Sequence, residues 1–544
     1  MRLLRRALPA AALASLLALA AGCAASDESG SASESIEGGT LVYATGDAEP
    51  TCLDPHVGGN YPQGLISTQY LEPLFGRTAD GEIVPWLAVS GEASEDGHSW
   101  DITLRDDITF TDGTPFDAEA VKTNIEHLQN PDTASSTGYL AVEQVERVEV
   151  VDETHVTLHL STPKSAMLEV LSQQWAAMQS PAGIARGMDE NCQAPIGTGP
   201  FVVENWAPQE AVTLTRNDDY VATNPEIDHE GPAHVETIEW RFIPDAATRQ
   251  AALASGEVHV IDNPLPTDIA AAEGLGLGHI DAPRPASSNR IELNTSQTPF
   301  DDDLVREAFL RSADPSPGID TLFSGTTIRS HSVLSSVEPF GVSDEALFET
   351  DADGADALLE EAGWTERADD GTRMRDGERL TVRFPVSTNQ STAAEQSLFE
   401  QIQQNTAAVG FDVVLEPMDL SSWYGALAAH EYEAVSAPYT TVGPDVLRIL
   451  YHSEGTVPAP SGYFANNAQL TIDELDALLD EALATTDPAT REQLYREAQE
   501  IILGTHAVLP LYDQQNHFLT NGVEGVTTIH TISTPTFVNA QLTE

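Results

Sequence analysis

Lysine is almost absent from this chain: it occurs twice in 544 residues, at Lys122 and Lys164, and 25 basic residues face 86 acidic ones for a formal net charge of −61. So acidic a surface repels phosphate backbones and anionic lipid head groups, which argues against nucleic-acid binding. Neither lysine stands in a G-x-x-x-x-G-K-[ST] setting, so there is no P-loop and the chain is no ATPase itself. Such acidity suits a protein kept soluble in strong salt, where screening removes self-repulsion; a GC-rich coding bias would account for the arginine preference equally well. Cysteine is scarce too, at Cys23, Cys52 and Cys192 only. Beyond the N-terminal segment no window holds 18 consecutive apolar residues, so no spanning helix is expected in the body. No repeat recurs at a 20 to 50 residue period.

Catalytic signatures are missing as well. Ser161-Thr162-Pro163-Lys164 matches S-x-x-K, but Pro163 stands where the required helix would continue and no K-T-G partner exists, so it reads as a turn. His229 and His234 are i,i+5 with Gly231-Pro232 between them, whereas a zinc helix needs i,i+4. Gly274 to Gly278 lacks the G-x-G-x-x-G spacing and reads as a loop or helix end, and no G-x-S-x-G elbow occurs. No cofactor is implied.

What is present is an export signal followed by a globular body. Met1-Arg2-Leu3-Leu4-Arg5-Arg6 precedes an Ala/Leu stretch that ends Leu19-Ala20-Ala21-Gly22-Cys23. A basic start, a short apolar run and a small-residue cleavage site make residues 1–23 a secretory signal, too short to span a bilayer. Its end resembles a bacterial lipobox, in which cleavage before Cys23 leaves a thiol that carries diacylglycerol. Residues 24–39, rich in Ser, Gly, Glu and Asp, read as a flexible tether. With Cys23 lipidated, Cys52 and Cys192 are expected to pair in an oxidising compartment, closing a loop of about 140 residues; the alternative is two buried thiols.

The whole chain is 41% hydrophobic and 20% charged, enough apolar surface to exclude wholesale disorder, and its 544 residues are the length of three or four domains of about 150 residues. Strands are predicted over 40–44, 100–104, 145–151 and 155–160. Helices are predicted over 117–129 with Asp117 as N-cap, 246–255 closed by Gly256, 302–310, 353–362, 393–409 closed by Gly410, 471–484 and 488–503. The result is an α/β protein with mixed sheets.

Several segments together resemble the extracytoplasmic solute-binding proteins of the peptide/nickel type that feed ABC importers, the bacterial family 5 solute-binding lipoproteins. They are Leu53-Asp54-Pro55-His56, Tyr70 to Leu74, Pro85 to Ala88, the long stretch Trp100 to Val121, Pro195 to Phe201, Arg249 with Ser255 to Val258, Leu293-Asn294-Thr295, Leu358 to Trp364, Gly443-Pro444-Asp445 and Pro510 to Asp513, in the family's order. The resemblance spans roughly residues 40 to 520. It implies a two-lobe periplasmic-binding-protein-like fold closing on a ligand, with a discontinuous lobe I of 40–80, 194–285 and 508–544, an inserted subdomain over 81–193, and lobe II over 286–507. It also implies an extracytoplasmic, lipid-anchored monomer, not an enzyme, that takes a small-molecule or peptide ligand and docks to an ABC permease with its ATPase subunits.

Dipeptide binders of the family hold the ligand's ammonium with an Asp before the Pro-Asp motif and its carboxylate with an Arg after a lobe II strand. Here the matching positions are Thr440 or Thr441 and Asn389, so both ion-pair partners are missing; Asp445 and Arg383 are the nearest substitutes. A buried zwitterion without partners costs several kcal/mol per charge, which argues against a plain dipeptide. The ligand-binding candidates are Tyr61, Asn389, Gln390, Trp423, Tyr424, Tyr439, Thr440, Thr441 and Asp445, a set that suits longer peptides gripped by their backbone, sugars or a chelated metal. His56 and His452 are read as structural rather than as nickel ligands. The competing class is a secreted, lipid-tethered hydrolase or peptidase, disfavoured by the missing nucleophile motif.

Overall fold

The computed structural model describes residues 35–543 apart from Glu226, Asp228, Glu230, Ala437, Pro438 and Thr440. The signal, Cys23 and most of the tether lie outside the described residues. None of the described helices is long and apolar enough to cross a membrane.

Thr40–Thr45 is buried at five of its six positions, the pattern of a strand covered on both faces. It is the centre of a seven-stranded mixed sheet ordered Gly278–Pro283, Gln515–Thr520, Val260–Asp262, Thr40–Thr45, Thr237–Phe242, Ala211–Arg216 and Phe201–Ala207. Its two direct neighbours run parallel to it and the outer pairs are antiparallel. The core on this sheet joins residues 41–71 to 201–240 and to 518–542. A second core, over 74–178, packs on a four-stranded antiparallel sheet of Ala88–Ala93, Ser99–Leu104, His155–Leu160 and Val145–Val150.

The third and largest core runs from Ala286 to Tyr512. It contains a parallel pair, Thr381–Ser387 and Asp412–Met418, joined through the helix Ala393–Val409. It also holds the antiparallel trio Ala434–Ser436, Asn289–Leu293 and Val508–Tyr512. The last of these strands, expected with lobe I, pairs with Asn289–Leu293 and buries Val508, Leu509 and Leu511 in the third core.

Local signals explain most element ends. Asp117 accepts from the Ala120 amide at the head of Ala118–Gln129, and Gly256 and Gly410 close their helices in the left-handed conformation, where a glycine avoids the Cβ clash. The helix predicted to end at Leu310 continues to Ala313, because Ser312 and Ala313 are buried and packing outweighs the weak local signal. Cys52 and Cys192 are joined, with Cα atoms 4.4 Å apart.

Candidate functional site

Three parallel strands of the first sheet, Thr40–Thr45, Thr237–Phe242 and Val260–Asp262, end at the same edge. The chain leaving them supplies Gly46-Asp47, Pro244 to Ala247 and Asn263 to Pro266. The parallel strand Thr381–Ser387 of the third core likewise ends in Thr388 to Thr392. These loops, with Asn60 to Pro62, Tyr424, Tyr439 and Tyr463, wall a cavity of about 810 Å³. Ligands in open α/β sheets sit outside the carboxyl ends of strands, and the volume is that of a small-solute site. The helices Ala246–Ser255 and Ala393–Val409 begin at its wall, so their N-terminal partial positive charges face it.

Five candidates meet there: Tyr61, Asn389, Gln390, Tyr424 and Tyr439 all line the cavity. Tyr61 opens a helix, its hydroxyl accepts from Asn516 at 2.6 Å, and the Arg284 guanidinium lies 4.4 Å over its ring. Asn389 Oδ1 accepts from the Leu420 amide, tying its loop to the helix Leu420–Ala428. On that helix Tyr424, Gly425 and Ala428 face the cavity, and the Tyr424 ring meets Tyr463 edge-on at 5.9 Å. Burial pushes the Tyr424 phenol up to about 12, so it is a neutral hydrogen-bonding group at any physiological pH.

Trp423 is not among the wall residues. One residue before Tyr424, it points about 100° round the helix and packs with Leu427, Tyr432, Val435 and Phe464. Thr441 and Asp445 are buried away from the cavity, and Thr440 lies outside the described residues. Asp445 precedes the helix Val446–Tyr451, and its Oδ1 is 3.5 Å from the Tyr495 hydroxyl. Its surroundings include Lys164, Glu169 and Arg491, a charged contact between the second and third cores. Arg383 is paired with Glu433 at 2.6 Å and does not border the cavity.

His452 accepts from the Glu454 amide and also lies off the cavity. His56 is fully buried in a network round Asp54, whose carboxylate accepts from the His56 amide, His127, Gln179 and Asn191. Burial pushes the His56 imidazole down to about 4. Burial raises the Asp54 carboxyl, but the His127 hydrogen bond and the two neighbouring imidazoles together hold it below its usual range. Ligand atoms of Asp54, His56 and His127 lie within 4.8 Å of one another, but four donors already occupy the carboxylate. The network joins the first two cores beside the disulfide.

Sequence reasoning missed the charged wall residues Asp47, Arg249 and Arg284, together with Tyr463 and Asn516. Gly46-Asp47 directly follows the central parallel strand, and that position was the available signal.

A model of the family described as bacterial extracellular solute-binding proteins, family 5 middle, matches residues 82–460. The nickel-binding periplasmic protein of Escherichia coli K12 is 29% identical over 462 residues, covering 82% of this chain and 83% of that protein. The glutathione-binding protein GsiB of Salmonella paratyphi A is 28% identical over 481 residues, covering 87% and 88%. Among solved structures, NikA from Brucella suis in complex with Fe(III)-EDTA superposes with a TM-score of 0.77 at 27% identity, covering 93% of this chain and all of that one. DppA from Helicobacter pylori, in complex with the peptide STSA, gives 0.80 at 22% over 93% and 99%, a likeness of fold alone.

Proposed function

Because the chain belongs to the family 5 bacterial extracellular solute-binding proteins, we propose that it is the solute receptor of an ABC importer, capturing a peptide-like or related small solute between two lobes. The observation that carries this reading is the cavity itself, walled on one side by loops of the seven-stranded sheet and on the other by loops of the third core. A solute there touches both bodies, so its binding energy favours the closed arrangement that a permease reads. The lobe I body comprises the first two cores, the second being the inserted subdomain, and lobe II is the third. Among the described residues the wall is built largely of tyrosines, amides and small polar side chains, and the relatives named above are binding proteins, which favours a binder over the hydrolase alternative.

Thermal-shift screening of the mature protein against oligopeptides, glutathione, opines and nickel–histidine complexes tests the reading. One class should raise the unfolding temperature by mass action and be recovered unchanged; release of products would indicate a hydrolase. For the solute so found, Tyr424→Ala is expected to weaken binding by about 2 kcal/mol, roughly thirtyfold, as the loss of a central aromatic contact. Trp423→Ala should act on stability instead. Equal affinities of the wild type and Tyr424→Ala in calorimetry would remove Tyr424 from the site.

The anchor is part of the same proposal. Cys23 follows a segment with the pattern of an export signal, and none of the described helices is long and apolar enough to cross a membrane. Cys23→Ala is expected to abolish palmitate labelling and to release a folded protein into the soluble fraction. Continued labelling of the variant would refute lipidation at that cysteine.

A further inference from the structure

Away from the cavity, two strands that lead the chain between bodies bring a pair of histidines together. Gly278–Pro283 and Gln515–Thr520 pair antiparallel at the edge of the first sheet. The first runs on through residues 284–288 into Asn289–Leu293 of the third core, and the second is entered from Val508–Tyr512 of that core through residues 513–514. In the pairing register Asp281 stands opposite His517. His279 and Asp281, two residues apart on one strand, share a face. Across from them, His517 Nδ1 is 3.1 Å from His279 Nε2 and 3.6 Å from Asp281 Oδ1. None of the three borders the cavity.

Hydrogen bonding decides which nitrogen of His517 is available. Its Nε2 is 3.0 Å from the Thr326 carbonyl oxygen. A carbonyl only accepts, so Nε2 carries the proton and Nδ1 presents a lone pair toward His279 and Asp281. An outer N–H held by a backbone carbonyl is the arrangement that orients metal-ligating imidazoles. The spacing fits as well. Two nitrogens about 2.0 to 2.1 Å from one ion stand about 3.3 Å apart at a tetrahedral angle and about 2.9 Å apart at a right angle, and the observed 3.1 Å lies between. Access also separates this pair from the Asp54 group: His279 is exposed, whereas Asp54, His56 and His127 are buried.

We propose that His279 Nε2 and His517 Nδ1, with the Asp281 carboxylate beside them, form a binding site for a borderline divalent transition-metal ion of the Zn2+, Ni2+ or Cu2+ kind. Imidazole beside carboxylate suits these ions, whereas Mg2+ and Ca2+ favour oxygen ligands alone. In the metal-free pair His279 Nε2–H donates to His517 Nδ1. On binding, that proton leaves Nε2 for solvent and solvent protonates the same ring at Nδ1, so both imidazoles stay neutral and a turn of the exposed His279 ring gives the ion its second nitrogen. Water fills the remaining positions. The ion then staples the two strands where they cross to the third core, and the Thr326 hydrogen bond extends the brace, since Thr326 follows Phe323 of that core. The site does not rest on the receptor reading.

Titration of EDTA-treated mature protein with ZnCl2, NiCl2 and CuCl2, in excess MgCl2 to occupy the acidic surface, tests the site. A first equivalent should bind more tightly than those that follow. His279→Gln and His517→Gln should each weaken that step at least about tenfold, and Asp281→Asn by a smaller factor. Electron paramagnetic resonance of the Cu2+ form gives a second reading, with splitting from two imidazole nitrogens in the wild type and from one in either histidine variant. Zn2+ should raise the unfolding temperature of the wild type and not that of His279→Gln, whose urea midpoint in EDTA should be unchanged because the side chain is exposed. The proposal is overturned if both histidine variants take up the first equivalent as tightly as the wild type with an unchanged Cu2+ spectrum, which would put the ion elsewhere, or if the wild type takes up none of the three ions against Mg2+. Neither result bears on the receptor reading, which the solute screen decides.

Discussion

Replacing Cys52 and Cys192 together by alanine is expected to lower the unfolding free energy by about 5 kcal/mol, because the bridge closes a loop over a separation of 140 residues. In the chain-entropy account the cost of dissolving so long a loop falls on the unfolded state, so the folded protein should be unchanged in shape. The bridge is backed by a hydrogen bond from the Leu53 amide to the Cys192 carbonyl at 2.8 Å, and by Asn191 and Gln179 reaching the Asp54 carboxylate. Those contacts should hold the native connection between the first two cores once the sulfurs are gone. Urea unfolding of the oxidised protein and of the double variant at pH 7 measures the difference. A loss below about 1 kcal/mol would mean that the Asp54 network already restrains the unfolded chain.

The same neighbourhood illustrates what could be read from the sequence alone. Helix ends with a strong local signal were legible: Asp117, Gly256 and Gly410 stand where predicted because capping is decided within four residues. The site was legible where the family's order of segments located a loop, as at Asn389, Gln390 and Tyr424, and illegible where one residue decides orientation. Trp423 and Tyr424 are adjacent and equally aromatic, yet one serves a core and the other a cavity, since consecutive helical residues face 100° apart. Asp47 and Arg284 are 237 positions apart and come together through a sheet whose strands cross over repeatedly in sequence, so no window of sequence contains both. Asp445, by contrast, is a ligand candidate only as a substitute ion-pair partner within the family's Gly443-Pro444-Asp445 segment, and its structural place is at the contact between cores.

That contact supports the second large effect. Arg77, in the strand Phe75–Arg77 at the second core, reaches Glu338 on the third core with Nη1 and Nη2 at 3.3 and 3.2 Å from the two carboxylate oxygens. Glu338 Oε1 also accepts from the Ala286 and Gly443 amides. Both side chains are nearly inaccessible, at 5% and 0% exposure. Burial raises the Glu338 carboxyl and the Arg77 charge offsets that only in part, so the pair specifies how the two bodies meet more than it adds net stability. Glu338→Gln keeps an oxygen for the two backbone amides and removes the charge facing Arg77. It is expected to cost about 3 kcal/mol by leaving a buried guanidinium uncompensated. If the closed arrangement is what the pair holds, this loss should appear as weaker solute binding with little change in the stability of either core. Adding Arg77→Met should restore most of it, because the amides retain their acceptor and the uncompensated charge is gone. Small-angle scattering with and without solute, beside calorimetry on the two single variants and the double, separates the possibilities. Additive losses in the double variant would show that Arg77 and Glu338 act independently, and the pair would then have no part in closing the cavity.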